Sequence, residues 1–583
     1  MVVRHLKSFM EKQVNDGTYF VDILYEIEKA KERSNEPIIV VDWTMLFQMI
    51  RTDNVTMLCG MQLALAEQRV DKLFRQLTEA GAKLIFFCCG LWEKTNYQVW
   101  TAKQNEYYMA MIDIFEEVDN GLPLKEIALK HQYSGCLLKN SCLKLNSIVK
   151  KHGTIVSSIT KYVPQELAAY AVQHDAFAII SENTDFLIFH GDWRLWSPAI
   201  DLKDLTTIEY NRDALLRGIR LQRNNMPLWA TLCGNNFFRY EEVKPFHKTL
   251  GKDQSEFYKV ADFVQKLPRE KNVSIKTIQN ILAIIYKGRS IPENAVEWFK
   301  ESLNFYRIDV KPAAPVNEES ASSLMEGMVL KRKFHYVTES ILNGEPQGIT
   351  VYFIDTRSKQ EIGCHFEIIT TLAARIAGVV LFHRRAAPKD VIVVTKRSYL
   401  EPFDYHSIPV IYPAGIGPPQ LSELLSEDGW MMTELLERKL QLLRWVCCSE
   451  HVTDQAVLAV PKELTVTVLA LVILIEFRAL HVFEADLLLW IAHELTTGMF
   501  DPSCEPQPVC IDPRAFRVVF LYQSIYWNVL RAVKVLDLPV EYRLTPPYDG
   551  HRFHNCYAAW RDGRPKGKVE QISHCRLYER GQG

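Results

Sequence analysis

Residues 164–189 constrain the fold of this chain more than any other stretch. They read PQELAAYAVQHDAFAIISENTDFLIF, which predicts a short helix, a turn at 174–175, a strand at 176–180 and a polar loop at 181–185. An unbroken apolar strand is typical of a parallel sheet covered on both faces. Open α/β sheets bind their ligands beyond the carboxyl ends of such strands. We therefore expect the candidate site of this protein in the loop at 181–185.

The stretches on either side repeat this strand and helix pattern. Apolar runs that predict strands lie at 37–42, 83–88 and 154–157, and residues 194–196 fit a further strand at the edge of the sheet. Helical spacing of apolar residues separates most of these strands, most clearly at 62–80. Strands that alternate with helices at this spacing favour a parallel sheet flanked by helices. Residues 1–36, which precede the first of these strands, have a helical pattern of apolar residues.

The second half of the chain predicts a mixed α/β domain that becomes mostly helical. Strands are expected at 350–355, 378–382 and 390–395, and helices dominate from 420 onwards. The apolar run at 464–475 fits a buried helix or a buried strand, and it is about half the roughly 20 residues that a membrane span needs.

At 583 residues the chain is too long for one hydrophobic core, which favours two or three domains. Residues 311–327 are rich in proline, serine and glutamate and predict a linker. The last 23 residues hold six Lys/Arg against three acids and predict a basic flexible tail. The expected domains are an α/β domain at 1–240, a helical extension at 241–310, the linker at 311–327, the mixed domain at 328–560 and the tail at 561–583.

The composition is that of a soluble intracellular protein. The formal net charge is −2, so no global positive field would hold nucleic acid, and binding would need a local basic patch. The 13 cysteines contain no CxxC pair, which favours reduced thiols. The first residues lack a signal-peptide core. We expect a cytoplasmic or nuclear location, with no membrane segment and no small-molecule substrate.

Acidic residues follow the predicted strands where a nuclease would hold metal. Asp42 ends the first strand, Glu166 begins the helix of the opening stretch, and Glu182, Asn183 and Asp185 occupy its loop. A pair of divalent ions held by such acids can activate a water molecule and stabilise the leaving oxygen of a phosphodiester.

The order of these motifs, from the first strand to LCGNN at 232–236, resembles the XPG or flap-endonuclease type of the PIN fold. In active members of that family, seven carboxylates hold two divalent ions. Laid onto this sequence, the resemblance retains three of them, Asp42, Glu166 and Asp185. The other four positions hold residues that carry no carboxylate, namely Cys89, Ala168, Asn183 and Asn236.

Three carboxylates supply −3 against the +4 of two ions, and magnesium prefers charged oxygen ligands in near-octahedral geometry. Two-metal hydrolysis is therefore not expected, although one weakly held Mg²⁺ or Mn²⁺ at Asp42, Glu166 and Asp185 remains conceivable. Alternatively, the three acids serve only structure, as caps of turns and in the first turn of a helix, where a carboxylate suits the helix dipole. Nuclease activity with a reduced acidic site is the third alternative.

Several segments, in order, resemble the constitutive coactivator of PPAR-gamma family. They are FFCCGLWEK, ENTDFLIF and LCGNNFF in the first half, and VLALVILIEF, PRAFRVVFLYQSIYWNVLRAVKVL and PPYDGHRFHNCYAAW in the second. Asteroid- and Mkt1-type proteins are related alternatives with similarly altered acidic sets. The resemblance implies a catalytically silent PIN-like domain that binds RNA or protein partners, as a nuclear-receptor coactivator or RNA scaffold, without a cofactor.

Basic residues of the second half could supply contacts to RNA phosphates. Ordinary solvated surface charge is the alternative for each run taken alone. The candidates are Lys331, Arg332, Lys333, Arg384, Arg385, Lys396 and Arg397.

Overall fold

The computed structural model describes most of the chain. The described residues are 3–34, 36–43, 53–88, 97–132, 146–157, 163–235, 237–251, 255–267, 273–308, 336–342, 344, 346–347, 365–383, 391–394, 404–424, 433–538 and 546–579.

The described strands form one large sheet and one hairpin-like pair. They are β1 Thr18–Asp22, β2 Ile38–Asp42, β3 Lys83–Cys88, β4 Gly153–Ser157, β5 Ala178–Ile180, β6 Arg194–Trp196, β7 Thr206–Tyr210, β8 Val391–Val394 and β9 His406–Pro409.

Helices occupy most of the remaining described residues. Those before residue 310 are α1 Leu6–Lys12, α2 Ile23–Lys31, α3 Asn54–Leu58, α4 Leu63–Glu79, α5 Tyr97–Asp119, α6 Leu124–Lys130, α7 Asn146–His152, α8 Val163–Gln173, α9 Arg212–Ile219, α10 Met226–Cys233, α11 Tyr240–Thr249, α12 Glu256–Gln265, α13 Ile275–Ile285 and α14 Ala295–Phe305. Those after it are α15 Tyr336–Leu342, α16 His365–Leu381, α17 Leu421–Leu424, α18 Thr433–Val446, α19 Asp454–Ala459, α20 Lys462–Glu476, α21 Val482–Thr497, α22 Pro513–Val535, α23 Gly550–Asp562 and α24 Lys566–Gln571.

The chain divides into two compact units, and both are assembled from separate stretches. The first contains residues 1–51, 69–96 and 147–315, and the second contains 52–68, 97–146 and 316–583. The domain boundaries expected from the sequence stay a prediction, and the expected linker at 311–327 lies outside the described residues.

The first unit is built on the seven-stranded sheet, whose order is β1-β7-β6-β5-β2-β3-β4. The five strands from β6 to β4 are parallel, and β7 and β1 add an antiparallel edge. The predicted parallel sheet flanked by helices is therefore confirmed. The edge position expected for 194–196 is wrong, because β6 pairs with β5 on one side and β7 on the other. One apolar core joins this sheet to the helices that follow β7, and it includes Phe9, Ile179, Trp229 and Phe299.

Strands β1 and β7 are absent from the sequence prediction. The helical pattern of 1–36 predicts helix for the run at 18–22, which lies between two amphipathic stretches, whereas the structure pairs this run with β7 residue for residue. Short edge strands carry too few residues for their period of two to stand out from a helical background.

The second unit is mainly helical, as predicted. The apolar run at 464–475, which fits a helix or a strand by its sequence, lies in the buried helix α20. The predicted strand at 390–395 is confirmed as β8, and the one predicted at 350–355 lies outside the described residues. Among the described helices, none combines the length and the apolar character that crossing a membrane would take.

The strand predicted at 378–382 is wrong, because residues 378–381 form the last turn of α16. The helix is apolar on nearly every side, and an apolar run without periodicity does not distinguish a buried helix from a buried strand. A Cβ atom at Gly378 would lie 1.8 Å from the carbonyl oxygen of Ile411, so glycine permits a close approach of the chain at this point.

The flexible tail expected at 561–583 is also wrong over its described part. Helix α24 lies within it, and Cys575 and Tyr578 are buried. Arg576 binds both oxygens of the buried Asp486, at 2.7 and 3.0 Å, and Arg564 adds a further hydrogen bond at 2.9 Å. The basic residues that suggest a solvated tail by composition therefore neutralise a buried acid.

Candidate functional site

The carboxyl ends of β2 and β5 place the first predicted acid beside the predicted loop. The two strands are parallel neighbours, with Val41 beside Ile180, so Asp42 and Ser181 each follow a paired residue. The Ser181 hydroxyl donates a hydrogen bond of 2.8 Å to Asp42 Oδ2. Both side chains are buried, and at least one oxygen of Asp42 is therefore bound by the protein itself.

The loop after Ser181 is held by its own side chains. The backbone N–H of Asn183 donates to Ser181 Oγ at 3.0 Å, and the N–H of Asp185 donates to Asn183 Oδ1 at 3.0 Å. Asn183 thus caps the 3₁₀ turn Thr184–Leu187, a use for which a short amide side chain is well suited. Its neighbour Glu182 points towards Lys7, with which it forms an ion pair of 2.9 Å.

Asp185 is the most enclosed of the predicted acids. Its Oδ1 accepts hydrogen bonds from the Tyr306 hydroxyl at 3.1 Å and from the backbone N–H of Val3 at 3.4 Å. Burial raises the pKa of Asp185 from its usual 3.8 to about 6, and the hydrogen bonds from Tyr306 and Val3 oppose that rise. Burial also raises the pKa of Tyr306, and the charge of Asp185 raises it further.

A buried polar network continues from Tyr306 into the helices that follow the sheet. Asn235 donates to the Tyr306 oxygen at 3.4 Å and to Ser302 Oγ at 2.7 Å. Ser302 is in turn bonded to Thr231 Oγ1 at 2.6 Å. The Oδ1 atom of Asn235 accepts from the backbone of two following residues. The network therefore fixes the end of α10 and the end of α14 around Asp185.

The remaining predicted positions are less closely tied to this network. Glu166 lies half-buried in the first turn of α8, and Ala168 is fully buried in the apolar core. Cys89 and Asn236 lie outside the described residues. Within the described part of the chain, no three His, Cys, Asp or Glu side chains are grouped as a metal site would require.

Sequence reasoning found Asp42 and Asp185 but missed the groups that bind Asp185. Tyr306, at the end of α14, lies more than 100 residues after the loop, and no motif links it to Asp185. Ser302, which supports the network through Asn235, was missed for the same reason. Val3 contributes only its backbone, which no side-chain pattern reveals. Chemically, the arrangement is a buried acceptor surrounded by protein donors.

The nucleic-acid candidates of the second half all lie outside the described residues. They are Lys331, Arg332, Lys333, Arg384, Arg385, Lys396 and Arg397.

The helices around Asp185 match a known family. Residues 219–309 match the FAM120A-like domain, and this stretch contains Asn235, Ser302 and Tyr306.

Curated proteins give the same family name as the sequence motifs. The chain is 24% identical over 342 residues to the constitutive coactivator of peroxisome proliferator-activated receptor gamma of Mus musculus, covering 55% of this chain and 43% of that protein. The Homo sapiens protein of the same name is 23% identical over 295 residues, covering 47% and 32%. The predicted resemblance is confirmed at this low identity, and the chain spans less than half the length of these relatives.

Two solved structures are similar to the chain at low identity. The Holliday junction-resolving enzyme GEN1, in complex with product DNA and Mg²⁺, is 11% identical with a TM-score of 0.28, covering 69% of this chain and 94% of that one. The catalytic core of Rad2 in complex with DNA substrate is 12% identical with a TM-score of 0.28, covering 56% and 84%.

Proposed function

We propose that this protein is a non-catalytic adaptor. Its first unit is a pseudo-nuclease of PIN-like type, and the protein binds RNA or protein partners in post-transcriptional regulation or transcription coactivation. The observation that carries the proposal is the state of Asp185, a buried carboxylate whose Oδ1 accepts hydrogen bonds from Tyr306 and Val3.

A catalytic carboxylate must be able to offer its oxygens to a metal ion. Mg²⁺ sheds its water reluctantly and requires charged oxygen ligands in near-octahedral geometry. At Asp185, Oδ1 already accepts a hydrogen bond of 3.1 Å from the Tyr306 hydroxyl, whose oxygen in turn accepts one from Asn235. A metal ion bound through Oδ1 would therefore compete with a network that holds the helical part of the first unit.

The surrounding positions supply little additional negative charge. Ala168 is buried without a polar atom, and Asn183 uses its oxygen to cap the loop. Asp42 accepts a hydrogen bond from Ser181. These local roles agree with the structural alternative for the surviving acids, and they favour a domain that retained the fold of a nuclease while losing its metal chemistry.

The partner side of the proposal rests on the relatives. Both of those described above carry the name of a coactivator of a nuclear receptor, which points to protein partners. RNA as a partner rests on the basic runs of the second half, such as Lys331-Arg332-Lys333, which could neutralise phosphates.

A nuclease assay tests the catalytic part of the proposal. The purified full chain is incubated with flap DNA, single-stranded DNA and RNA in Mg²⁺ or Mn²⁺, beside an active flap endonuclease as a positive control. We expect no cleavage. Cleavage by the wild-type chain that is lost in both Asp42→Asn and Asp185→Asn would establish the alternative, a metal-dependent structure-specific nuclease with a reduced acidic site.

Crosslinking in cells tests the partner. RNA recovered with the wild-type chain, and reduced by replacing Lys331, Arg332 and Lys333 with glutamine, supports RNA binding through the basic runs. RNA recovery at background level would contradict RNA as a partner and leave protein partners as the proposed class.

A further inference from the structure

The edge strand β1 and the helix after it carry exposed aromatic side chains that no part of the proposed function uses. Phe20 is 79% exposed, the highest value for an aromatic side chain among the described residues. Tyr25, on the following helix α2, is 64% exposed, and Tyr19 is 43% exposed. Strand β1 also forms one end of the seven-stranded sheet, so its outer side has no neighbour among the described strands of that sheet.

The register of β1 shows which backbone groups face outward. Asn211 N–H donates to Gly17 O, and Ile23 N–H donates to Leu205 O, one on each side of the five paired residues. Antiparallel strands alternate bonded and non-bonded pairs. Tyr19 and Val21 therefore direct their N–H and C=O groups towards β7, and Thr18, Phe20 and Asp22 direct theirs away from the sheet.

Strand β1 has few of the features that usually prevent an edge strand from pairing with another chain. Natural edges carry lysine or proline, or are interrupted by a bulge, which discourages pairing with another chain. The sequence of β1 is TYFVD, with neither lysine nor proline, and its five residues pair with β7 without a bulge. Asp22 is its one charged residue, and that carboxylate already accepts a hydrogen bond from Tyr25 N–H at 3.1 Å.

A hydrogen bond from Tyr19 to an ion-paired glutamate holds the strand in place. The Tyr19 hydroxyl donates to Glu209 Oε1 at 2.5 Å, and the same carboxylate accepts from Trp196 at 2.9 Å and from Arg194 at 2.6 Å. Arg194 also pairs with Glu26 of α2. A strand fixed in this way offers its outward groups without a further loss of backbone entropy, which favours binding.

The charges around the strand indicate what kind of segment fits. Exposed acids flank both ends: Asp16 precedes β1, Asp22 ends it, and Asp201 and Asp204 lie in the turn that leads to β7 beside Asp22. Lys203 in that turn is the opposing charge. A second copy of this chain, paired antiparallel about Phe20, would place Asp22 opposite Thr18 of the other copy and two residues along from its Asp16, so like charges near both ends disfavour this pairing.

We propose that β1 is a docking edge for an extended, basic segment of a partner protein. The segment adds an eighth strand to the sheet, places an apolar or aromatic side chain beside Phe20, and places Lys or Arg beside Asp22 and Asp16. Main-chain hydrogen bonds to Thr18, to Phe20 and to the N–H of Asp22 hold it, because the Asp22 carbonyl caps α2, and alternate side chains select it. The inference deepens the adaptor proposal, on which it rests, by naming one class of partner.

Fluorescence anisotropy with a labelled synthetic peptide tests this docking edge on the full chain. The probe is Gly-Lys-Val-Arg-Val-Phe-Val-Arg-Val-Lys-Gly, and two controls carry either N-methylated amides at alternate residues or glutamate in place of every Lys and Arg. We expect the probe to bind and both controls to bind at least about tenfold more weakly, since each loses one of the two sources of recognition.

Protein variants locate the binding site. Phe20→Asp is expected to weaken binding about tenfold or more, whereas Leu129→Ala removes a side chain that is 66% exposed elsewhere and should leave binding unchanged. Asp22→Asn keeps the oxygen that caps α2 and should weaken binding mainly at low salt. Circular dichroism checks that each variant is folded.

Three outcomes would overturn the inference. They are no binding of the probe, equal binding of the N-methylated peptide, and unchanged binding by Phe20→Asp. A dimer in light scattering that Phe20→Asp dissociates would replace the partner segment by a second copy of the chain. Cleavage in the nuclease assay would overturn the adaptor proposal and would not affect peptide binding at β1. Failure of the adaptor proposal can therefore be distinguished from failure of the docking edge.

Discussion

At the scale of single residues, Asp185 is held by groups from distant parts of the chain. It follows the central strand β5, and its Oδ1 accepts hydrogen bonds from one backbone N–H and one tyrosine hydroxyl. The hydroxyl belongs to the stretch that matches the FAM120A-like domain. This carboxylate thus links the loop after β5 to the helices that follow the sheet.

The protonation of Asp185 predicts a dependence of stability on pH. Because burial raises its pKa from 3.8 to about 6, the folded protein holds this proton more tightly than the unfolded chain. This group therefore stabilises the fold fully below about pH 4, and its contribution is lost as pH rises through about 6. At about 1.4 kcal/mol per pH unit, the loss amounts to about 3 kcal/mol.

Asp185→Asn isolates this contribution, because the amide oxygen can still accept from Tyr306 and no proton is bound. We expect the free energy of unfolding of the wild type, measured in urea, to fall relative to the variant between pH 4 and pH 7. A constant difference across that range would contradict the inferred protonation. Asp201→Asn, at an exposed position, provides the matched control and should show no such trend.

At the scale of elements, the structure corrects the strand that the sequence predicts at 378–382. The stretch at 378–382 is apolar enough for a central strand, yet it ends the buried helix α16. Glycine has the lowest helix propensity after proline, yet the helix contains Gly378 because another part of the second unit packs closely against it there. A Cβ atom at this position would overlap the Ile411 carbonyl oxygen.

Gly378→Ala should therefore destabilise the protein although alanine favours helices. The higher helix propensity of alanine contributes about 1 kcal/mol to the free energy of unfolding. The backbone shift that the added Cβ forces costs about 1–3 kcal/mol or more. We expect a lower urea midpoint for the second unit. Gly567→Ala is the matched control, since a Cβ atom added to this helical glycine would have no neighbouring atom within 4 Å and should be neutral or slightly stabilising.

At the scale of the whole molecule, two units share one chain that passes between them more than once. The second unit gathers residues 52–68 and 97–146 together with the C-terminal half. Within it, Gly550 N–H donates to Met61 O, and Leu63 N–H donates to Tyr548 O, so the YDG motif near the end of the chain packs on an early segment. This motif therefore has a structural role in closing the second unit.

The last described residues also belong to this unit, and Arg576 is the side chain that tests it. Arg576→Met leaves the buried Asp486 with Arg564 and Tyr578. Breaking one partner of a buried ion pair typically costs about 3–5 kcal/mol, and the remaining partners reduce this, so we expect a loss of about 2–3 kcal/mol. This loss of stability is measured as a lower urea midpoint for unfolding of the second unit.

Lys566→Met removes an exposed charge of the same basic stretch, and we expect it to change the midpoint little. If Arg576→Met proved equally silent, the C-terminal segment would be a solvated tail, as its composition suggests.

The sequence by itself determined the parallel sheet, the place of Asp42 and Asp185 at its carboxyl edge, the helical second half and the family resemblance. These features follow from local apolar periods and short motifs, which a single stretch of chain carries. Only the tertiary structure decided that Tyr306 and Val3 enclose Asp185, that 378–382 is helical, and that Arg576 neutralises Asp486. Those outcomes depend on burial and on partners distant in the chain, and local patterns contain neither.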